Sequence, residues 1–299
     1  MQFRNIFIAS ERHLVIKNNQ LVIDEAEEIL FPVEDINSII IENGYTSLSA
    51  SAIRILADNE VVVYICDEKH IPSAVLLPMV KHSRHFKMLK AQFETTKPLY
   101  KQLWQSIVIK KVQNQARCLE ILNIEGDKEL YAMSKEVKSG DTTHVEAKAA
   151  AFYFRRLFGA DFVRADNNII NSMLNYGYAI IRGMIARTIV AYGFEPSVGI
   201  WHKSELNSYN LADDLLEPFR PFVDLYVATF MDTNKVELVS GDKKMIAKIM
   251  NYEMILNGEH RIVKNCIDMM VSSFSSSIKE KENKILLPDL GILREHRYE

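Results

Sequence analysis

The sequence predicts an α+β protein: a small N-terminal β domain over residues 1–78, a linker at 79–85 and a larger all-α domain over residues 86–299. Three observations carry this. Up to Leu77 the apolar residues come in short runs bounded by turn residues, as in strands, whereas beyond Pro78 they recur at helical spacing. Charge changes sign at the same place. Met1–Met79 holds five Lys/Arg against twelve Asp/Glu, and Lys81–Arg117 holds nine against one, which marks two units with different surfaces. The formal net charge of −3 excludes a uniformly basic coat, so only the second unit suits a polyanion. Finally, 48% hydrophobic residues in a chain of 299 can bury a substantial core, far from the composition of a disordered chain.

Arg4–Ile8 reads as the first strand. Leu14–Lys17 and Leu21–Asp24 flank Asn18-Asn19-Gln20, a hairpin in which asparagine tolerates the positive φ of the turn. Glu28–Phe31 and Ile36–Ile41 follow, and Pro32 between them marks an edge or a break because it has no donor for a ladder. Ser47–Ala57 switches to helical spacing, with Ile53 and Leu56 on one side. Val61–Cys66 returns to an apolar strand and Ser73–Leu77 closes the set, a domain of ordinary size.

Helical periodicity begins at His82–Phe93, with Phe86, Leu89 and Phe93 at helical spacing and Lys81, Arg84, Lys87 and Lys90 interleaved. Leu99–Ile121 continues it, punctuated by Trp104, Lys110, Lys111 and Arg117. These cations read either as the solvated faces of two amphipathic helices or as a stripe that tracks phosphates, since counterion release gives such residues most of their affinity for a duplex. Asp127–Gly140 is charged and reads as a helix end and a loop. Thr143–Phe158 is the next helix; its Thr143-x-x-Glu146 spacing fits a capping box, with Glu146 bonding back to the Thr143 amide. Arg155 and Arg156 contact DNA or form the polar face of that helix. Asn167 or Asn168 caps a long apolar helix over Asn171–Tyr192, and Gly193 is its C-terminal cap. Gly177 and Gly183 weaken that helix, which argues for close approach of a neighbour and a central position. Pro221–Asp232, Asp242–Asn257 and His260–Lys279 are expected to be helical, and the charged Glu280–Glu299 to be a mobile tail.

The stretch Gly199–Asp224 carries the candidate chemistry. His202 is followed by a polar loop and an acidic segment that Asn210 caps as a helix, on which Asp213 and Asp214 lie four and three residues before Glu217. Pro218 and Pro221 end the helix soon afterwards, so the carboxylates stand where the macrodipole disfavours anions. Three crowded carboxylates call for protons or a cation, and an imidazole with hard oxygens suits Mg, Mn or Zn rather than a soft metal. The alternative is the solvated face of a short helix. Cys66, Cys118 and Cys266 are odd in number, far apart and in apolar settings, which reads as reduced core thiols. With no signal peptide and no apolar run of membrane length, a soluble intracellular protein is expected.

Gly-Ile-Trp-His202 followed by Asn210-Leu-Ala-Asp-Asp-Leu-Leu-Glu-Pro-Phe-Arg-Pro-Phe-Val-Asp224 resembles the signature of the CRISPR adaptation integrases, the universal spacer-acquisition nucleases. Leu174-Asn-Tyr-Gly-Tyr-Ala-Ile-Ile181 matches the helix that precedes it in that family. The likeness runs over most of the chain and is greatest to the integrases of type II CRISPR systems. It implies that the first domain is a β-sandwich used for dimerisation and partner docking and that the helical domain is catalytic. It also implies that Glu146, His202 and Glu217 hold Mg2+ or Mn2+, with Glu217 standing where many relatives carry aspartate. Asp214 would orient His202 or a metal-bound water, and Arg84, Lys87, Lys90, Arg155, Arg156 and Arg220 are candidate DNA contacts.

The implied reaction inserts short double-stranded DNA fragments into the CRISPR repeat array by 3′-hydroxyl transesterification; with water as nucleophile the same site is a nuclease. The implied partners are a second copy of the chain, the DNA fragment, the repeat DNA, a small ferredoxin-like CRISPR adaptation protein and the type II effector nuclease, in the prokaryotic cytoplasm and away from membrane. Two alternatives stand beside it: a metal-dependent hydrolase of branched DNA or structured RNA, and a non-catalytic DNA-binding scaffold.

Overall fold

The computed structural model describes residues 4–23, 29–68, 72–76 and 85–296; apart from residue 85, the expected linker lies outside them, as does Arg84. Among the described residues the N-terminal part forms β1 (Arg4–Ile8), β2 (His13–Lys17), β3 (Gln20–Ile23), β4 (Ile29–Pro32), β5 (Ile36–Ile41), β6 (Ser47–Leu48), α1 (Ala50–Asp58), β7 (Val62–Cys66) and β8 (Pro72–Val75). These strands make two four-stranded sheets, ordered β1-β5-β7-β8 and β4-β3-β2-β6. In the first sheet β5 pairs parallel with both β1 and β7, and only β8 is antiparallel. The β2–β3 hairpin turns at Asn18 and Asn19, with φ of 50° and 60°, as the asparagine pair predicts. Pro32 is the last residue of the edge strand β4, where its missing donor costs no ladder bond.

The first sheet is buried on both faces, and its sequence says why. Alternate residues of β5 and β7 enter different cores: Ile39, Ile41 and Val63 pack against the second sheet, whereas Ile40, Val62, Tyr64 and Cys66 join the core of the helical part. A strand apolar on both faces reads as a continuous run, as Ile-Ile-Ile and Val-Val-Val do here. The sandwich is therefore one side of a three-layer stack. In α1 the inner face is Ala52 and Leu56, whereas Ile53 is 41% exposed. Ser47 and Leu48 pair as strand, and Ser49 caps the helix by accepting from the Ala52 amide.

The helical part comprises α2 (His85–Phe93), α3 (Lys97–Ile121), α4 (Asp127–Lys135), α5 (Val145–Phe158), α6 (Ile169–Ala191), α7 (Asn210–Leu216), α8 (Arg220–Phe230), α9 (Ser240–Ala247) and α10 (Val263–Glu280). Central α6 is buried along most of its length. Its two glycines are contact points: a Cβ on Gly183 would lie 2.2 Å from the Tyr64 ring, and one on Gly177 would lie 2.5 Å from Val223. Tyr64 also donates to the Ile180 carbonyl at 2.7 Å, so sheet and helix are joined at one spot.

Several expectations are corrected here. Met88 and Gln92 form the buried face of α2, with Phe86 and Phe93 exposed at 77% and 65%. Gln92 is buried because its amide is satisfied by the Glu195 and Val198 carbonyls and the Glu195 amide. The charged stretch after Asp127 is the helix α4, not a loop. Asp242–Asn257 is not one helix: after α9 and a 3-10 turn it enters β9 (Glu253–Leu256), and β10 (Glu259–Ile262) returns antiparallel before α10. Asn257 and Gly258, at φ of 53° and 78°, form the turn. The tail expected to be mobile is tied down to residue 296. Asn114 binds the Pro288 carbonyl and the Leu290 amide, Leu290 is buried, and the Ile255 and Asp289 backbones pair.

Candidate active site

Helix α3 runs past the start of α5 and past Glu217–Phe219, the 3-10 turn between α7 and α8. From α3 the Lys111 side chain reaches both: its ammonium donates to Glu146 Oε1 and lies 2.5 Å from Glu217 Oε2. Glu146 and Glu217 are thus brought together around one buried cation. Arg220 flanks Glu217 from the other oxygen, at 2.9 Å to Oε1, and lays its guanidinium over the Tyr178 ring. Burial alone would push the Glu217 carboxyl up, but Arg220 and Lys111 outweigh it and hold it at about 2. Burial would likewise pull the Lys111 ammonium down, and Glu217 and Glu146 more than reverse this.

The capping-box expectation for Glu146 fails. His144, in the left-handed region, precedes α5, and Asp141 caps the helix by accepting from the Val145 amide at 2.9 Å and the Glu146 amide at 3.0 Å. The Glu146 carboxylate faces Lys111.

Asp214 is fully buried and organises the loop that carries His202. Its Oδ2 accepts from the Ile200 and Trp201 amides at 2.6 and 2.9 Å, and its Oδ1 from the His202 amide at 3.2 Å and the His202 ring Nδ1 at 2.6 Å. Gly199 permits this wrap, because a Cβ there would lie 2.4 Å from the His202 carbonyl and 2.8 Å from the carboxylate itself. The hydrogen bond to Asp214 raises the imidazole pKa against the effect of burial; burial raises the Asp214 carboxyl, and His202 restrains it. With Nδ1–H bound to the carboxylate, Nε2 is the ring nitrogen left to ligate, the usual arrangement of a histidine directed at a metal.

The three neighbouring carboxylates therefore have three different surroundings. Asp213 turns to Asn207 at 2.7 Å and to Arg182 at 3.8 Å, Asp214 to the His202 loop, and Glu217 to Lys111. Asn210 does not cap α7. Its amide donates to the Ser197 and Ser204 carbonyls and pins the loop instead. Pro218 and Pro221 do not stop the helical path either; they sit in the first turns of the 3-10 segment and of α8, where a missing amide is harmless.

Among the described residues no three His, Cys, Asp or Glu side chains already converge as a ligand group. The donor set nonetheless fits a hard divalent cation. It offers two carboxylates gathered around a positive charge and an imidazole oriented by a third carboxylate.

Among the candidate DNA contacts, Lys87, Lys90, Arg155 and Arg156 are exposed. Lys90 pairs loosely with Glu94 at 3.7 Å, and Arg156 lies over the Phe152 ring. Arg220 is engaged with Glu217 rather than with Asp224, which takes the Tyr178 hydroxyl. Lys111, read from sequence as part of a basic stripe, belongs to the site; its position on the inner face of α3, in line with Trp104, Ile107 and Val108, was the available signal. Lys110 pairs with Asp289 of the C-terminal segment. Asp141 carried no sequence signal, because a capping residue so far ahead of Val145 acts only through the intervening turn.

A family model described as CRISPR associated protein Cas1 matches residues 6–257. A protein of Neisseria meningitidis serogroup C described as CRISPR-associated endonuclease Cas1 is 41% identical over the whole of both chains. One of the same description from Francisella tularensis subsp. novicida is 24% identical over 91% of this chain and 94% of its own. Among solved structures, a casposase bound to integration product superposes with a TM-score of 0.79 at 22% identity, covering 95% of this chain and 92% of its own. A Cas1 protein from Thermotoga maritima gives 0.74 at 16% identity, covering 94% and 99%. At such identities the structures speak for the fold, and the family model with the Neisseria relative speaks for descent: this chain belongs to the Cas1 family of CRISPR-associated proteins.

Proposed function

We propose that this chain is a divalent-metal-dependent DNA endonuclease and integrase of CRISPR adaptation, which joins short double-stranded DNA fragments to a CRISPR repeat by transesterification. The observation that carries the reading is the meeting of Glu146, from α5, and Glu217, from the 3-10 turn after α7, on the buried ammonium of Lys111, with His202 aligned by Asp214 on the loop before α7. The endonuclease name of the Neisseria relative and the integration product bound to the casposase support it.

Glu146, His202 and Glu217 would hold Mg2+ or Mn2+. When bound, the cation supplies polarisation of the scissile phosphodiester and neutralisation of charge at the leaving 3′ oxygen. Asp214 keeps the proton on His202 Nδ1 and so leaves Nε2 free to ligate. Glu217, held by Arg220 at about 2, is anionic at any physiological pH. The nucleophile is the 3′-hydroxyl of the captured fragment, or water when the site acts as a nuclease. Exposed Lys87, Lys90, Arg155 and Arg156 offer contacts to phosphates. The assembly would include a second copy of the chain and the small ferredoxin-like adaptation protein, docked through the β-sandwich.

The test is joining of a short duplex to a supercoiled plasmid bearing a repeat, with and without Mg2+ or Mn2+. Glu146→Ala, His202→Ala and Glu217→Ala are each expected to abolish joined products while the chain still folds. Cleavage without joined product from the wild type would favour a hydrolase of branched DNA or structured RNA instead.

A further inference from the structure

Asn114 lies on α3 three residues after Lys111, on the same buried face, and is 2% exposed. Its carboxamide is fully used. Nδ2 donates to the Pro218 carbonyl at 2.8 Å and to the Pro288 carbonyl at 3.0 Å, and Oδ1 accepts from the Leu290 amide at 3.0 Å. Two carbonyls and one amide fix which end of the group is oxygen and leave it one orientation. One of those carbonyls belongs to the residue after Glu217; the other partners belong to the C-terminal segment. That segment is laid along α10 and α3. The Lys284 and Leu286 amides donate to the Ser277 and Ser273 hydroxyls, Asn283 donates to Ser106 at 2.8 Å, and Asp289 pairs with Lys110.

Helix α3 thus grips the Glu217 turn at two points of different kinds. Lys111 holds the carboxylate, whose oxygens are the atoms a metal needs; Asn114 holds the backbone, and that grip takes nothing from the oxygens. Glu217–Phe219 is a 3-10 turn, whose own hydrogen bonds are poorer than those of an α-helix, so an outside hold decides how well it aims its side chain. We infer that Asn114 is a positioning residue for Glu217 and that through it the C-terminal segment supports the active site, an inference that rests on the reading of Glu217 as a metal ligand. Loss of this hold removes no ligand. It loosens one, so affinity for the cation falls while the loaded site keeps its rate.

Asn114→Asp keeps the size of the side chain and an acceptor for the Leu290 amide, but has no donor for the two carbonyls. Half-maximal joining by the full-length protein is expected to need about 10- to 100-fold more Mn2+, with the rate at saturating Mn2+ close to that of the wild type. Asn114→Ala, which strips all three partners, is expected to shift the requirement at least as far. Leu21→Ala, in the core of the β-sandwich, controls for lost stability alone and is expected to leave the requirement unchanged. A wild-type Mn2+ requirement in both Asn114 variants would overturn the inference, as would an equal increase in Leu21→Ala. Amide hydrogen exchange of the wild-type protein gives a readout independent of joining. Mn2+ is expected to slow exchange in residues 217–222 and, through Asn114, in residues 288–291 as well; slowing confined to the first stretch would overturn the link. If Mn2+ slows neither stretch and joining needs no divalent cation, the metal-ligand reading itself falls and takes this role of Asn114 with it.

Discussion

Asp214 is where a single residue bears most weight. It accepts three amides and one imidazole while fully buried. An asparagine is no substitute, because its amide group would point a donor at N–H groups that need an acceptor. Asp214→Asn is therefore expected to lower stability by about 2–4 kcal/mol, read as a lower denaturation midpoint, and to reduce joining because the His202 loop loosens. A midpoint equal to that of the wild type would mean that the loop is held by Asn210 alone. Asp224 carries the opposite lesson. Burial pushes its carboxyl up to about 7, against the restraining hydrogen bond from Tyr178. The ionised form is disfavoured in the folded chain, so stability falls as pH rises from the ordinary carboxylate range towards 7 and then levels off. Asp224→Asn is expected to be more stable than the wild type at pH 8, on the order of 4 kcal/mol, with the advantage vanishing near pH 4. A pH series of denaturation curves checks both the sign and the window.

At the scale of elements, the α6 contacts decide how sheet and helices lock. Gly183 faces the ring of Tyr64 too closely for any side chain, and Tyr64 is hydrogen-bonded to α6 on the same spot. Gly183→Ala is expected to destabilise by about 1–3 kcal/mol, despite the better helix propensity of alanine, while Gly241→Ala in α9, with open space around it, is neutral or stabilising. Equal melting temperatures for the two variants would contradict this. The element boundaries that misread did so for definite reasons. Asn257-Gly258 between two apolar runs was a hairpin signal in plain view, hidden by the helical spacing around it. Phe86 and Phe93 lie at helical spacing with Leu89, yet α2 buries the face of Met88 and Gln92, because a polar residue with three partners satisfied can be buried and a phenylalanine need not be.

Across the whole molecule, the strand-rich and helical parts are joined by more than apolar contact. Glu42 at the end of β5 pairs with buried Lys243 of α9 at 3.0 Å and accepts from Ser240 at 2.8 Å. The C-terminal segment crosses back to α3 through Asn114 and Lys110. Among the described residues no helix is long and apolar enough to cross a membrane. The basic surface is thinner than the sequence predicts, since Lys110, Lys111 and Arg220 are turned to carboxylates. Reversal of exposed Lys87 and Lys90 to glutamate is expected to weaken duplex binding whatever the sequence, and to flatten its salt dependence. An unchanged slope in a salt titration would move the DNA path off α2.

By itself the sequence determined a strand-rich N-terminal part followed by a helical one, the hairpin at Asn18-Asn19 and the close approach along α6. Each is written in local chemistry: a period, a turn residue, a missing Cβ. What the tertiary structure alone decided is which neighbours those residues meet. It placed Lys111 between Glu146 and Glu217, gave the cap of α5 to Asp141 and sorted Asp213, Asp214 and Glu217 into three surroundings. It also folded the charged C-terminal segment onto α3. These are contacts between residues far apart in the chain, and burial sets their energies. A lysine in a helical pattern looks like solvent-facing charge until the fold supplies two carboxylates that keep it inside.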